Sequence, residues 1–451
     1  MREGKRAALF LLPVTAFVLF GSCQRPPAQG RGKLDAANGF VFAPRPAAPI
    51  TFLSTQLNPV EETAKMRNAI LKDFPGKVDF RPTDNNFLFS QINSLLASDP
   101  SGSILIGALH GDLSTLFGED ALQPLDGIYG QLRQSRKFPE NLMALSRLDG
   151  KNVYYIPWMQ ASFVMVANRK ALPYLPPGAS LDDLSYQQLE EWAKNVYEKT
   201  GKRVLGFPAG SRGLMHRFFQ GYLYPSFTDS TLLKFRTMDA RSMWVFFKDL
   251  WRFAQPASLG YSTMAEPLLT EDVWIAWDHI ARLVKAFEER PADFVAFPAP
   301  SGPKGRGFMA VLSGLAVPKK AASVGDQTLL IDYLTRPEIQ ARVHDETGFF
   351  PVVDGGESAG VDPRLASLVS TVNRQENSVT SIRTLLPIGL GEREDDYNNL
   401  FMLTFSEIVL QGMDIPSALD ANAKELQKVL DAENARCWLP DVSSERPCQI
   451  E

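Results

Sequence analysis

Short apolar runs alternate with helical spacings of apolar residues along the first part of the chain. Residues 49–54 and 103–107 are nearly continuous apolar segments, the pattern of strands that are buried on both faces. Between them, Met66, Ile70 and Phe74 recur with the period of an amphipathic helix. Strands that alternate with helices in this way build βαβ units around a parallel sheet, so we predict an α/β fold.

Residues 294–318 contain two apolar runs that flank a loop rich in proline and glycine. Each proline fixes its own φ and restrains the residue before it, so the prolines make this loop stiff. The glycines that follow allow another surface to approach the backbone closely. Two interpretations remain open: an ordinary loop between core strands, or a point at which the chain passes from one lobe to another beside a cleft.

A long extended segment, residues 150–169, is interrupted at Pro157 and ends before a proline-rich turn. Helices dominate the chain after this segment. A later strand, residues 273–277, runs into a helix for which Asp278 has the character of an N-cap. The spacing of apolar residues predicts further helices at 181–200, 213–224, 240–253, 324–335, 337–344, 396–411 and 415–433.

The chain has 451 residues, of which 45% are hydrophobic and 22% are charged. This length favours two domains, and the composition is that of a globular protein with apolar residues for two cores. The formal net charge is −4, and no block of basic residues appears. A nucleic-acid partner is disfavoured, because Lys and Arg must neutralise the phosphates in such a complex.

The first residues have the pattern of an export signal. Basic residues within positions 2–6 precede an apolar run at 7–20, and small residues then lead to Cys23. The run is short for a membrane span and fits the apolar region of a signal peptide. Small residues before a cysteine resemble a bacterial lipoprotein processing site, at which Cys23 becomes the lipidated first residue once 1–22 are removed. A plain secretory signal and an uncleaved anchor are the alternatives, and residues 23–48 read as a flexible tether.

The two remaining cysteines, Cys437 and Cys448, lie near the C-terminus. An exported protein resides where disulfides persist, so a bond between them is one possibility. Such a bond closes a short loop, contributes about 3 kcal/mol at best and fixes the tail rather than the core. Two free thiols are the alternative.

Motifs of catalysis are absent from the sequence. There is no Walker loop, no Gly-x-Ser-x-Gly elbow and no His-Glu-x-x-His helix. The histidines are scattered without the spacing of metal ligands, so we predict no metal site and no cofactor. They are His110, His216, His279 and His344.

The order of these segments resembles the extracellular solute-binding proteins of ABC importers, in particular the large family that includes maltose-binding protein. The resemblance covers residues 49–433 and includes the signal segment at the N-terminus. The segments that carry it are GKNVYYIPW…VANRK (150–170), SLDDLSYQQLEEWAKNVYE (180–198), FPAPSGPKGRGFMAVLSGLAVP (297–318), YLTRPEIQ…GFFPVV (333–353) and ALDANAKELQKVL (418–430).

The resemblance implies a periplasmic-binding-protein-like fold with two α/β lobes. One ligand is expected in the cleft between the lobes, and chain crossings join them. The implied crossings lie near 157–162, 297–302 and 350–353. The implied lobes are 49–158 with 300–352 and 159–299 with 353–436, followed by a tail at 437–451.

A sugar site stacks aromatic rings on the C–H faces of the ligand and directs polar side chains at its hydroxyls. Trp158 follows an implied crossing, and Trp277 closes a strand at its carboxyl end, where doubly wound sheets bind ligands. We expect both to line the cleft and Trp274 to lie in the core; a core position is the alternative for the first two. Gln56, Asp112 and Gln160 are polar candidates by position only. The others are Asp84 and Asn85, with turn residues as the alternative, Asp278, with a helix cap, and Arg306, with a solvated charge.

Three hypotheses for function follow. The favoured one is a monomeric, lipid-anchored receptor on the periplasmic or extracytoplasmic face of the membrane, which captures a mono- or oligosaccharide and delivers it to an ABC permease. The second is an extracytoplasmic enzyme that acts on glycans or peptides. The third is a sensory receptor of the same fold that signals ligand occupancy to a partner.

The anchor is tested by the substitution Cys23→Ala. We expect the variant to move from the membrane fraction to the soluble fraction, because the acyl chains on Cys23 provide the hydrophobic attachment. Cell fractionation followed by immunoblotting measures this. A variant that stays with the membrane would contradict the lipoprotein hypothesis.

Overall fold

The computed structural model describes residues 34–35, 39–40, 48–56, 60–100, 102–321, 325–354, 362–442 and 447–451. The predicted signal segment, the lipidation site Cys23 and most of the predicted tether lie outside these ranges. Within the described ranges, no helix combines the length and the apolar content that crossing a membrane requires.

Twelve strands lie in the described ranges, and most of them belong to two mixed sheets. They are β1 Leu34–Asp35, β2 Gly39–Phe40, β3 Ile50–Ser54, β4 Val78–Pro82, β5 Ser103–Leu109, β6 Ile156–Ala161, β7 Phe163–Asn168, β8 Leu205–Gly206, β9 Ile275–His279, β10 Phe294–Phe297, β11 Arg306–Ala316 and β12 Ser381–Leu385.

Helices cover both sheets. They are α1 Val60–Lys65, α2 Asn85–Ser98, α3 His110–Gly118, α4 Asp126–Leu132, α5 Glu140–Ser146, α6 Tyr186–Thr200, α7 Met215–Phe218, α8 Tyr224–Thr228, α9 Met238–Trp251, α10 Ala265–Leu269, α11 Ile280–Glu289, α12 Gly325–Leu334, α13 Pro337–Thr347, α14 Ala366–Glu376, α15 Glu394–Phe405 and α16 Ile415–Ala432. Three of them continue into single π-turns at Met66–Ile70, Phe219–Leu223 and Ser406–Leu410.

The first sheet has the strand order β12-β11-β5-β3-β4, with β6 also paired to β11. β3 lies parallel to both β4 and β5, as the alternation of strands and helices predicted. The second sheet has the order β10-β7-β9-β8. The prediction of an α/β fold is confirmed.

The chain passes from the first sheet to the second between β6 and β7. Only Ser162 separates these strands, and it is fully buried. The Ser162 hydroxyl lies 3.1 Å from the Tyr222 hydroxyl and donates to the Met309 carbonyl at 3.0 Å. The passage is therefore a packed junction.

The proline- and glycine-rich loop between β10 and β11 packs against α8. The amide of Lys304 donates to the Ser226 carbonyl at 2.9 Å, and the amide of Tyr186 donates to the Ser301 carbonyl at 3.0 Å. A Cβ at Gly302 would lie 2.5 Å from the Ser226 carbonyl oxygen, closer than any side chain permits. This close approach explains the glycine, as the sequence predicted for the loop.

Trp158 belongs to the core of the first sheet. Its side chain is fully buried and meets the ring of Phe52 edge to face, with 5.7 Å between centroids. Its indole N–H donates to the Ser313 hydroxyl at 2.8 Å. Its polar group is thus satisfied by β11, and its ring fills space inside the sheet.

We expect Trp158→Ala to lower the free energy of unfolding by about 3–5 kcal/mol, because it leaves a large cavity in a packed core. Urea denaturation measures the change. The control is Val379→Ala, since Val379 is fully exposed and its truncation stays within about 0.5 kcal/mol. A Trp158→Ala variant as stable as the wild type would contradict the core assignment.

Candidate functional site

The carboxyl ends of β3, β4 and β5 meet at one edge of the first sheet, because these strands are parallel. Asp112 lies in the first turn of α3, just after β5. The Thr55 hydroxyl donates to the Asp112 carboxylate at 3.2 Å, and the Gln56 amide donates to Thr55 at 3.4 Å. Two predicted site residues thus lie within one hydrogen-bonded group after β3 and β5.

A small cavity of about 70 Å³ lies against this edge. Asn85 and Asp112 line it from the first sheet, and Pro387, Gly391 and Glu394 line it from the opposite side. A sugar does not fit in this volume, since pockets for small ligands span roughly 300–1,000 Å³.

The two sides are in direct contact at Gly111. A Cβ there would lie 2.3 Å from the Pro387 carbonyl oxygen. The segment 387–394 was not among the predicted site residues. Its signal in the sequence is the pair Gly389 and Gly391, both of which have positive φ and shape the turn before α15.

Three carboxylates approach one another at the small cavity. Burial, together with the negative charges of Glu394 and Asp84, raises the pKa of Asp112 to about 7. Hydrogen bonds from Thr55 and the Leu109 amide oppose this rise. Glu394 itself is paired with Arg217 at 2.6 Å. Asp84 is thus the third predicted site residue in electrostatic contact with this group.

A second cavity of about 750 Å³ adjoins the first and shares Thr115, Gly389 and Gly391 with it. This volume is within the range of ligand sites. α3 and the segment 144–148 line one side, and 385–391 and 433–439 line the other. Its walls combine apolar and hydrogen-bonding groups, including Phe117, Leu145, Ile388, Trp438, His110, Ser114, Arg147 and Arg436.

His110 is uncharged at neutral pH in this arrangement. Burial lowers its pKa to about 4. Its Nδ1 lies 2.8 Å from the Tyr155 hydroxyl, which fixes the ring beside α3. The neutral imidazole can donate or accept one hydrogen bond at each nitrogen according to its tautomer.

The structure places Trp277 inside the second sheet and not on a cavity wall. Its ring is fully buried and stacks on Phe163, with 4.7 Å between centroids. Its indole N–H has no hydrogen-bond partner among the described residues. Trp274, expected in the core, is 8% exposed, and the ammonium of Lys170 lies over its ring at 4.8 Å. Trp274 is thus buried in the core, as expected, and Trp277 is buried as well, because β9 is buried on both faces.

Asp278 stabilises a neighbouring helix. Its carboxylate accepts the amides of Met264, at 2.8 Å, and His279, at 2.7 Å. Met264 is the N-cap residue of α10, whereas α11 begins at Ile280 with no side-chain cap. The expected cap of its own helix, α11, is therefore not formed. Burial raises the pKa of Asp278 to about 7.

Gln160 and Arg306 lie away from both cavities described above. The Gln160 amide donates to the Pro351 carbonyl at 3.0 Å, and its side chain lines a separate cavity of about 410 Å³ near the chain crossings. Arg306 is buried, donates to the Asp182 carbonyl at 3.0 Å and pairs with Asp183 at 3.5 Å. It holds the loop before α6.

Cys437 and Cys448 form a disulfide. Of the two alternatives left by the sequence, a bond or two free thiols, the structure therefore contains the bond. Over the described ranges, no three His, Cys, Asp or Glu side chains come together in a geometry that holds a metal ion.

Two helix-covered sheets, joined by the short passage at Ser162, define a two-lobed α/β protein. The family described as bacterial extracellular solute-binding protein matches residues 65–359, more than half of the 451 residues. The chain belongs to this family. Its membership confirms the resemblance seen in the sequence and the prediction of a solute-binding function.

Solved structures share the fold over most of the chain. The GacH receptor of Streptomyces glaucescens is 17% identical with a TM-score of 0.62, covering 85% of this chain and 98% of its own. MalE from Xanthomonas citri is 17% identical with a TM-score of 0.65, covering 85% and 97%. UgpB from Mycobacterium tuberculosis is 17% identical with a TM-score of 0.64, covering 86% and 99%. A search of curated proteins by sequence finds no match.

Asp112→Asn is expected to gain stability over the wild type as the pH rises from about 4 to about 7, and to keep that gain above pH 7. The folded-state pKa of Asp112, about 7, lies above its ordinary value of 3.8, so its stabilising contribution is complete below pH 3.8 and is lost as the pH rises through 7. The amide side chain of the variant does not ionise, so the variant does not lose this contribution as the pH rises. The difference in unfolding free energy should grow by up to about 1.4 kcal/mol per pH unit across this window.

Urea denaturation at several pH values between 4 and 8.5 measures the difference. The control is Asp395→Asn, which removes one charge at an exposed position in α15. A difference between Asp112→Asn and wild type that stays constant with pH would contradict the buried, repelled carboxylate.

Proposed function

We propose that this protein captures a mono- or oligosaccharide in the cavity of about 750 Å³ and delivers it to an ABC permease. The observation that supports the proposal is that this cavity is lined by α3 and 144–148, from one proposed lobe, and by 385–391 and 433–436, from the other. A ligand between two lobes contacts both, and its binding energy then favours the closed arrangement.

The groups around the cavity fit a neutral, hydroxylated ligand. Phe117 and Trp438 offer aromatic surface for C–H faces, and the Ser114 hydroxyl and the uncharged His110 offer hydrogen bonds to hydroxyls. The guanidinium groups of Arg147 and Arg436 add N–H donors on the walls of the cavity, and these also hydrogen-bond to hydroxyls.

The names of the structural neighbours support a sugar and supply an alternative. GacH was solved with acarbose, the solute receptor AcbH prefers β-D-galactopyranose, and another neighbour is a chitin oligosaccharide binding protein. UgpB was solved with glycerophosphocholine. These ligands are the first compounds to test for binding.

The proposal includes features of the whole protein. We propose that Cys23 carries a lipid anchor on the extracytoplasmic face, that the receptor is a monomer, and that it catalyses no reaction. The lobes are proposed as 49–158 with 300–352 and 159–299 with 353–436, closing on the ligand by a hinge motion.

Isothermal titration tests the purified protein against maltose, acarbose, galactose, chitin oligosaccharides and glycerophosphocholine. We expect at least one sugar to bind, and small-angle scattering with that sugar to give a smaller radius of gyration. Chromatography after incubation detects turnover, which would favour an enzyme. Binding of glycerophosphocholine alone, or saturation with an unchanged radius, would contradict the proposal.

Ser114→Trp should abolish or weaken sugar binding by at least about tenfold, because the indole fills the cavity that Ser114 lines. Ser242→Trp is the matched control. Both serines are in helices and donate to the carbonyl one turn earlier, Ser114 to His110 at 2.8 Å and Ser242 to Met238 at 3.0 Å, but Ser242 is exposed on α9. Equal affinity of the two variants would place the site elsewhere.

A further inference from the structure

The chain continues beyond its last long helix and packs back onto the protein. After α16, residues 433–442 lead away from the helix, and residues 447–451 return to it. We name these two segments the C-terminal clasp. The disulfide Cys437–Cys448 joins them, and the Cys448 amide donates to the Ala435 carbonyl at 2.8 Å. The clasp is therefore a closed loop.

The clasp is fixed to the second lobe at Asp441. This carboxylate is buried and accepts the amides of Thr231 and Leu232, each at 2.9 Å. It also accepts the Ser230 hydroxyl. Further along, the Glu451 amide donates to the Leu233 carbonyl at 2.8 Å. Both ends of the clasp thus attach to the segment 230–233.

The part of the clasp before these attachments faces the large cavity. Residues 433–439 line it opposite α3, and the Leu439 carbonyl accepts the Leu385 amide at 3.2 Å. Trp438 is buried and meets Tyr397 edge to face, with 5.6 Å between centroids. Arg436 is exposed at the cavity. The aromatic ring of Trp438 and the five N–H donors of Arg436 therefore lie on the same wall of the large cavity.

We propose that the C-terminal clasp is the specificity-determining wall of the ligand cavity, with Arg436 and Trp438 contacting the ligand and the disulfide holding both in place. This inference rests on the proposed function, because it assumes that the ligand occupies this cavity. It adds that affinity depends on the disulfide Cys437–Cys448, which lies beyond the last long helix. The disulfide itself does not contact the ligand. It positions Arg436 and Trp438, which do.

The first test needs no ligand and uses the purified protein before and after treatment with a phosphine reductant. The phosphine takes its oxygen from water, and the disulfide takes up two electrons and two protons to give two thiols. Hydrogen–deuterium exchange should become faster in 433–439 and in 385–391, while α9 and its surroundings stay unchanged. Unchanged exchange in both segments after complete reduction, verified by mass spectrometry, would overturn the proposal.

The matched control is the double variant Cys437→Ser/Cys448→Ser. It should show the fast exchange of the reduced wild type, with and without the reductant. Since the whole chain has three cysteines and these two form the bond, insensitivity of this variant assigns the effect of the reductant to this disulfide. A double variant that exchanges as slowly as oxidised wild type would overturn the proposal.

The second test measures the affinity for whichever sugar of the panel binds the oxidised protein. Reduction and the double serine variant should each weaken binding at least about tenfold, with a smaller change in melting temperature of the lobes. Trp438→Phe should retain most of the affinity that Trp438→Ala loses. Equal affinity before and after reduction would overturn the proposal while leaving the proposed function intact.

Arg436→Ala serves where Trp438→Ala fails to fold, because Arg436 is exposed and its truncation leaves no core cavity. It should weaken sugar binding, whereas Arg252→Ala, which removes an exposed arginine at the end of α9, should not. If oxidised wild type binds no sugar of the panel, the proposed function fails for those compounds, and the exchange experiment still decides whether the disulfide holds the wall.

Discussion

One long strand holds the first sheet together. β11 pairs in parallel with β12 over its first half and antiparallel with β5 and β6 over its second half. Each half is fixed by its own ladder of backbone hydrogen bonds, and buried backbone groups without partners are costly. The walls of the cavity are carried by elements on both sides of this strand, so their relative position depends on it.

The pairing of β11 is irregular between Ser313 and Gly314, and side chains compensate for it. The Ser313 hydroxyl donates to the Ala108 carbonyl at 3.0 Å and accepts the indole N–H of Trp158 at 2.8 Å. These bonds join β11, β5 and β6 just before α3 begins. The first turn of α3, with Asp112, is thereby held at the edge of the sheet, where the opposing segment approaches it.

The polar residues after β3, β4 and β5 came together because parallel strands place their carboxyl ends at one edge. That rule requires only the order of strands and helices, which apolar periodicity provides. The two tryptophans were harder to place. Alternation along a strand separates inside from outside when one face is exposed, but β6 and β9 are buried on both faces. The positions of Trp158 and Trp277 therefore carried no information on which face meets a cavity.

By itself, the sequence determined the alternation of strands and helices, the stiff loop before β11 and the order of segments that identifies the family. These are local patterns, and local patterns are set by backbone preference and apolar period. Only the tertiary structure decided that 387–394 and the C-terminal clasp face α3. These segments have no regular period, and their direction follows from how α15 and α16 pack on α7 and α9. Contacts between residues so distant in the chain are fixed by packing, which no local pattern encodes.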